Sequence, residues 1–242
     1  MVDLPLYRIQ ESGRTQTIRM RASLKENLVV VVIPKGLSPR RIRLIIEQNR
    51  ETLEQLHGWM EDRRRVLLEC RQALPETIRL ESLDQVWAVA YERTERPGVL
   101  VTPGGEARHL VVTGAITNEA SCRAALRRWL IRMAELQLIP WLRRVAETRG
   151  FRYERTRVAL QHTRWGSCSG KGTISLNARL LLLPADLVEG ILIHELCHTT
   201  HLNHRAAFWQ LVAIHDPDYQ DKQRRLKVLT AGLPGWSFPE QD

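Results

Sequence analysis

Two histidines four residues apart, with a glutamate directly after the first, stand at His194-Glu195-Leu196-Cys197-His198. On an α-helix, positions i and i+4 lie about 40° apart around the axis and about 6 Å along it, so both imidazoles can turn toward one metal ion. Glu195 is rotated about 100° from His194, which places it badly as a ligand of that ion and well for taking a proton from the water the ion activates. The chemistry expected of such a triplet is metal-dependent hydrolysis. Without partners, burying these three groups on an apolar helix would be strongly unfavourable, whereas coordination and hydrogen bonding satisfy them.

A catalytic zinc site takes three protein ligands and keeps one position open. His201 is the next imidazole, but on a continuing helix it stands about 10 Å along the axis from His194, too far for Zn–N bonds of about 2 Å. His204 is favoured. Asn203 can end one helix or cap the next, Ala206, Ala207, Phe208, Trp209 and Leu211 read as a new helix, and the intervening turn can return His204 to the metal. The interval from His198 to His204 equals that of metzincins, yet His201 replaces their turn glycine and no methionine follows Met133. A thermolysin-like site needs a downstream glutamate, and the only one is Glu240 in the tail. Asp216 and Asp218 remain outside candidates.

The elements that must position these residues are legible in outline. Leu187, Val188, Ile191, Leu192 and Leu196 form a stripe of helical period around the triplet, with Pro184 and Asp186 near its start. Upstream, Thr156 to His162 and Thr173 to Asn177 read as two strands joined by a Trp165-Gly166-Ser167 loop. A long helix is expected from about Asn118 to Thr148, bent at Pro140 and stopped by Gly150. Further strands are expected at Thr77 to Leu83, Val86 to Arg93, Val99 to Thr102 and His109 to Thr113, with Pro103-Gly104-Gly105 as a turn. Near the start, Thr17 to Ala22 and Leu28 to Ile33 form a hairpin turning at Lys25-Glu26-Asn27. Ser38-Pro39 then opens a long helix carrying Ile42, Ile45, Ile46, Leu53, Leu56, Trp59 and Met60. The boundary expected near Gly114 divides a β-rich region, 1–114, from a catalytic region, 115–242.

Arg164-Trp165-Gly166-Ser167-Cys168-Ser169, Ile174-Ser175-Leu176-Asn177, His194 to His198, Asn203-His204 and Phe208-Trp209, in this order and spacing, resemble the YgjP-like metallopeptidase family, relatives of SprT-type and Wss-type proteases. The resemblance covers nearly the whole chain. It implies an α+β fold in which a β-rich segment with a long helix precedes a zincin-like helical catalytic domain with a small sheet. It also implies metal ligands His194, His198 and His204, Glu195 as general base, and one catalytic Zn²⁺. Around Leu83-Asp84-Gln85 the family tends to carry a glycine turn that this chain lacks. In a zincin, a strand beside the active-site helix can pair with an extended substrate, which suits loose sequence preference. The Trp165 loop is accordingly expected to line the cleft, with Arg164, Trp165 and Ser167 touching substrate. Tyr219, His201, His162 and Arg164 are candidates for steadying the tetrahedral intermediate.

Composition narrows the remaining functions. At 242 residues and 43% hydrophobic content the chain can bury a real core. No apolar run approaches the roughly 20 residues of a membrane span and no signal-peptide pattern is present, so the cytoplasm is the expected compartment. The four cysteines, Cys70, Cys122, Cys168 and Cys197, are widely spread and read as packing residues rather than a disulfide framework. A net charge of +9, with Arg143, Arg144, Arg149, Arg152, Arg155, Arg157 and Arg164 ahead of the triplet, points to an acidic partner such as nucleic acid or nucleotide. Besides a peptidase of general protein or peptide substrates, two other functions are carried forward: a nucleotide pyrophosphatase, for which a metal hydroxide in a basic cleft is suited, and, as the resemblance to SprT-type and Wss-type proteases implies, a protease acting on DNA-associated proteins. A metal-binding scaffold and a nucleic-acid module with structural zinc are further alternatives.

Overall fold

The computed structural model describes residues 6–13, 15, 17–23 and 28–239, with only the backbone of 62–72 and of 231. The chain divides into two compact units, Met1–Arg71 and Gln72–Asp242.

In the first unit, strands β1 (Tyr7–Ser12), β2 (Arg19–Ser23) and β3 (Leu28–Pro34) form a sheet in the order β1-β3-β2. β3 pairs in parallel with β1 and antiparallel with β2. The central strand is a valine-rich run whose Val29, Val31 and Ile33 share a core with Ile46 and Leu53 of the helices, as a strand covered on both faces must. The hairpin's two strands are those the alternation indicates, and its expected turn at Lys25-Glu26-Asn27 lies outside the described residues. The single long helix expected next is two, α1 (Pro39–Gln48) and α2 (Arg50–Gln72). Ser38 caps α1 by accepting from the Arg41 amide. Asn49 interrupts the run: its Nδ2 donates to the Ile45 carbonyl at 2.8 Å, competing with the helical ladder.

The second unit contains the residues of interest. β4 (Thr77–Leu80), β5 (Gln85–Arg93), β6 (Val99–Pro103) and β7 (His109–Gly114) form a sheet in the order β4-β5-β7-β6. Between β4 and β5, Asp84 takes the left-handed conformation (φ 48°) that the family's glycine would favour, and the two strands pair antiparallel across it. The long helix α3 (Glu119–Arg149) starts where Asn118 accepts from the Ser121 amide at 3.0 Å and stops at Gly150 (φ 75°); Pro140 lies within it. The boundary expected at Gly114 falls inside this unit. Ile78, Leu80, Val89, Leu110 and Val112 of the sheet share one core with Cys122, Leu126 and Leu130 of α3, so dividing the chain there would cut that core.

A second sheet holds β8 (Arg155–Ala159), β9 (Gly166–Cys168) and β10 (Thr173–Asn177) in the order β8-β10-β9. The expected pair of strands with a loop between them is thus corrected. β8 and β10 run parallel, and the intervening loop supplies β9 as an antiparallel edge strand. A buried 3-10 helix, Ala178–Leu182, leads to α4 (Ala185–Cys197), then α5 (Ala206–His215) and α6 (Tyr219–Ala231). No helix among the described residues is long and apolar enough to cross a membrane.

Candidate active site

α4 is buried on most sides, through Leu187, Val188, Ile191, Leu192, Ile193, Leu196 and Cys197, which a helix with apolar residues around most of its circumference requires. At its start Asp186 accepts two hydrogen bonds from Arg225 of α6. This pairing holds the Asp186 carboxyl below its ordinary range.

The helix ends at Cys197, so the continuing helix that excluded His201 is not formed. Thr199 Oγ1 donates to the Leu196 carbonyl at 2.7 Å and the His201 amide to the Cys197 carbonyl at 3.0 Å. Asn203 Oδ1 then accepts from the Arg205 amide at 3.2 Å just ahead of α5, a turn of the kind short amide side chains favour. This reversal brings His204 back. The Nε2 atoms of His194, His198 and His204 form a triangle with all three sides 3.2 Å. A tetrahedral ion with Zn–N bonds of about 2.0–2.1 Å separates its ligand nitrogens by about 3.3–3.4 Å. The donor set and its spacing therefore fit a divalent metal such as zinc.

The tautomer fits as well. His198 Nδ1 lies 2.9 Å from the His201 carbonyl, which can only accept, so Nδ1 carries the proton and the neutral ring turns a lone pair on Nε2 inward. His201 thus contributes its backbone, while its side chain stands outside the ligand group. Burial, followed by the charges of His198 and His204, lowers the His194 pKa to about 4. Burial likewise depresses His198, against the carbonyl bond that raises it. Neutral imidazoles are the ligand form. Behind them Phe208, fully buried, sets its ring 4.9, 4.3 and 4.8 Å from those of His194, His198 and His204. Among the described residues this histidine triad is the cluster able to hold a metal. Asp216 is occupied by Lys222 Nζ at 2.5 Å, and Asp218 is exposed at the start of α6.

Glu195 is 5% exposed, its Oε2 has no hydrogen-bond partner, and burial pushes its pKa up to about 8. Gly166 of β9 lies against it: a Cβ there would fall 2.6 Å from Oε1 and 2.7 Å from Cγ. The cleft over the triad is lined by Arg164, Gly166, Ser167, Cys168, Glu195 and Leu202 beside the histidines.

Of the residues expected to touch substrate, Arg164 and Ser167 line this cleft. Trp165 is not among its lining residues. Its half-buried ring packs on the core with the Arg179 guanidinium 5.2 Å away. Tyr219 stacks on Trp209 at 5.3 Å, and His162 is exposed away from the lining residues. Cys197 is buried, which pushes its thiol up to about 12, and Cys168 is half-buried with its thiol also raised by burial. Two of the clustered arginines serve the fold: Arg149 bonds Glu189 and the His215 carbonyl, and Arg157 bonds Ser175. Sequence reasoning missed the Gly166–Glu195 contact and the buried Arg179. The second had a signal, a lone arginine inside the apolar run Leu176 to Leu183.

No curated protein matches the chain significantly. The crystal structure of the metallopeptidase zymogen of Pyrococcus abyssi abylysin aligns over 36% of this chain and 90% of that one, at 24% identity and a TM-score of 0.33. The family described as YgjP-like, metallopeptidase domain, matches residues 16–229 and so includes the histidine triad, Glu195 and the β9 edge. The chain belongs to the YgjP-like metallopeptidases and is a metal-dependent peptidase.

Proposed function

We propose that the protein is a zinc peptidase in which His194, His198 and His204 hold one ion, Glu195 is the general base, and the β9 edge receives the substrate backbone. The observation that carries this reading is the 3.2 Å triangle of Nε2 atoms sharing a cleft with a buried carboxylate whose Oε2 is unpartnered. When bound, the ion supplies Lewis-acid chemistry, acidifying water and polarising a carbonyl. Glu195 takes the proton of the attacking water and delivers it to the leaving amine. A carboxyl whose pKa burial has raised toward neutrality suits both transfers.

Backbone pairing supports the choice of substrate. Trp165 accepts from the Asn177 amide and the Ser169 amide donates to Thr173. The alternation of an antiparallel ladder then turns the amide and carbonyl groups of Gly166 and Cys168 away from β10, toward the open edge. An extended peptide can pair there. Exposed Arg164 at one end of the cleft is a donor for a developing oxyanion or a substrate carboxylate.

The test is to load the purified protein with zinc and offer an unfolded protein and, separately, nucleoside triphosphates. Peptide cleavage that Glu195→Gln abolishes is expected, with the triphosphates left intact. Triphosphate hydrolysis without proteolysis would replace this reading with the pyrophosphatase alternative.

A further inference from the structure

At the end of β10 and in the 3-10 helix that follows, two enclosed polar side chains reach for the backbone of the segment that leads into β9. Asn177, with no exposure, donates from Nδ2 to the Gln161 carbonyl at 2.9 Å and to the Arg164 carbonyl at 2.7 Å. Its own amide donates to the Trp165 carbonyl, and its Oδ1 accepts from the Arg179 amide at 3.1 Å. Arg179, 2% exposed, donates from Nη2 to the Gln161 and His162 carbonyls. No salt bridge to a carboxylate accompanies this guanidinium among the described residues. Its Cζ lies 5.2 Å from the Trp165 ring and 4.1 Å from the Phe238 ring, so aromatic faces and carbonyl dipoles offset part of the charge, while Nε and Nη1 are buried without a hydrogen-bond partner. Burial lowers its pKa to about 10, which leaves it a cation at neutral pH.

Burying an arginine without an anion is unfavourable unless something is gained by it. What the two residues grip is specific: the carbonyls of residues 161, 162, 164 and 165. The next residue is Gly166, whose backbone sits against the Glu195 carboxylate with no room for a methyl group. The segment has no regular secondary structure of its own between β8 and β9, so ahead of the Trp165–Asn177 backbone bond that continues the β9–β10 ladder, these side-chain bonds hold it.

We infer that Asn177 and Arg179 are positioning residues of the peptidase: they clamp the 161–165 segment so that β9 is held as a preformed edge against Glu195. The inference rests on the reading of Glu195 as base and β9 as substrate strand. Arginine suits the task because one Nη2 group donates to two carbonyls while the flat guanidinium lies near two aromatic rings, a face that a lysine lacks. Asparagine suits it because an amide offers two donors and an acceptor at once, whereas aspartate retains only the acceptors.

Four variants of the full chain test it: Asn177→Ala, Asn177→Asp, Arg179→Met and Arg179→Lys. Hydrogen exchange across 164–168 and across α4, the zinc dissociation constant, and kcat and KM on an unfolded protein are measured for each. Exchange across 164–168 is expected to quicken tenfold or more while α4 exchanges as in the wild type. Zinc affinity should stay within threefold, and kcat/KM should fall at least tenfold, chiefly through KM. Asn177→Asp and Arg179→Lys should be as impaired as the larger truncations. Unchanged protection of 164–168, or equal acceleration in α4, overturns the inference, as does wild-type kcat/KM in a variant whose segment has loosened. If the truncations fail to fold, the two conservative variants decide by the same criteria. If the wild type cleaves nothing, the proposed function has failed, and the exchange data alone decide whether the clamp exists.

Discussion

Replacing Gly166 with alanine adds one methyl group at the point where β9 meets Glu195, the proposed general base. The new carbon would stand 2.6 Å from Oε1, 2.7 Å from Cγ and 2.8 Å from Cδ of Glu195. Carbon contacts settle near 3.5–4.0 Å, so the methyl or the glutamate side chain must move by about 0.8–1.3 Å. Gly166 does not occupy the left-handed region, so the contact alone accounts for the effect. Overpacking of this kind costs about 1–3 kcal/mol, or roughly 2–12 °C in Tm for a chain of this size. A displacement of about 1 Å in a catalytic group can reduce turnover about 100-fold. The triad is made by α4 and the turn before α5 and does not include β9, so zinc binding should persist. The assay is peptide cleavage on zinc-loaded Gly166→Ala protein, with metal content measured on the same sample. Full zinc with kcat down about 100-fold is expected. A variant with wild-type kcat would show that the Gly166–Glu195 contact has no catalytic consequence.

Glu195→Gln should keep one zinc per chain and lose about 10²–10⁴-fold in kcat, the range of a general base; retained turnover in single-turnover kinetics would remove Glu195 from that role. His204→Ala should weaken zinc binding by orders of magnitude, while His201→Ala, whose carbonyl survives the change, should leave it nearly intact; calorimetric titration showing the reverse would exchange the two roles. Phe208→Ala removes a buried ring touching all three imidazoles and should cost about 3–5 kcal/mol and loosen the metal; an unchanged Tm would contradict the packing. In metal-stripped protein, burial depresses the His194 pKa to about 4 and raises that of Glu195 to about 8. The histidine contributes stability above its unfolded pKa and loses it as pH falls; for Glu195, stability is lost as pH rises toward 8. Between about pH 6.5 and 8 the glutamate term stands alone, so stability should fall by about 2 kcal/mol, and Glu195→Gln should flatten the slope. Equal slopes in denaturant titrations of the two proteins would refute this.

The parts of the site that could be read in advance are those whose geometry is local. A four-residue interval on a helix fixes the relation of His194 to His198, and the apolar stripe around them marks the buried helix. The return of His204 was legible because Asn203 signals a turn and Phe208 begins a new apolar face. Most strands of the second unit followed from alternation, and the α+β class was what the resemblance implied. Non-local pairing carries no such signature. That Trp165 packs inward while Gly166 faces Glu195, distant in sequence, depends on β9 pairing antiparallel with β10, a direction that alternation does not give. A boundary at Gly114 follows the change from strands to helices along the sequence, while the β4–β7 sheet and α3 both contribute to one core.

Local and non-local features meet at Glu195. Its place on α4 follows from sequence spacing, but its raised pKa comes from burial, and Gly166 of β9 lies against its Oε1 and Cγ. The motif alone therefore specifies which groups are present, while burial in the fold raises the carboxyl pKa and β9 limits the room it has. The same three residues on a helix without such a strand would still gather a metal. Their glutamate, open to water, would keep an ordinary carboxylate pKa and freer rotamers, and so be a poorer proton carrier near neutral pH. Comparing the Gly166→Ala variant with the clamp variants separates these effects. The first crowds the carboxylate while leaving the strand paired, and the second frees the strand while leaving the carboxylate uncrowded. If both lower kcat/KM but only the first acts through kcat, β9 has two distinct duties, burying the base and presenting an edge to substrate.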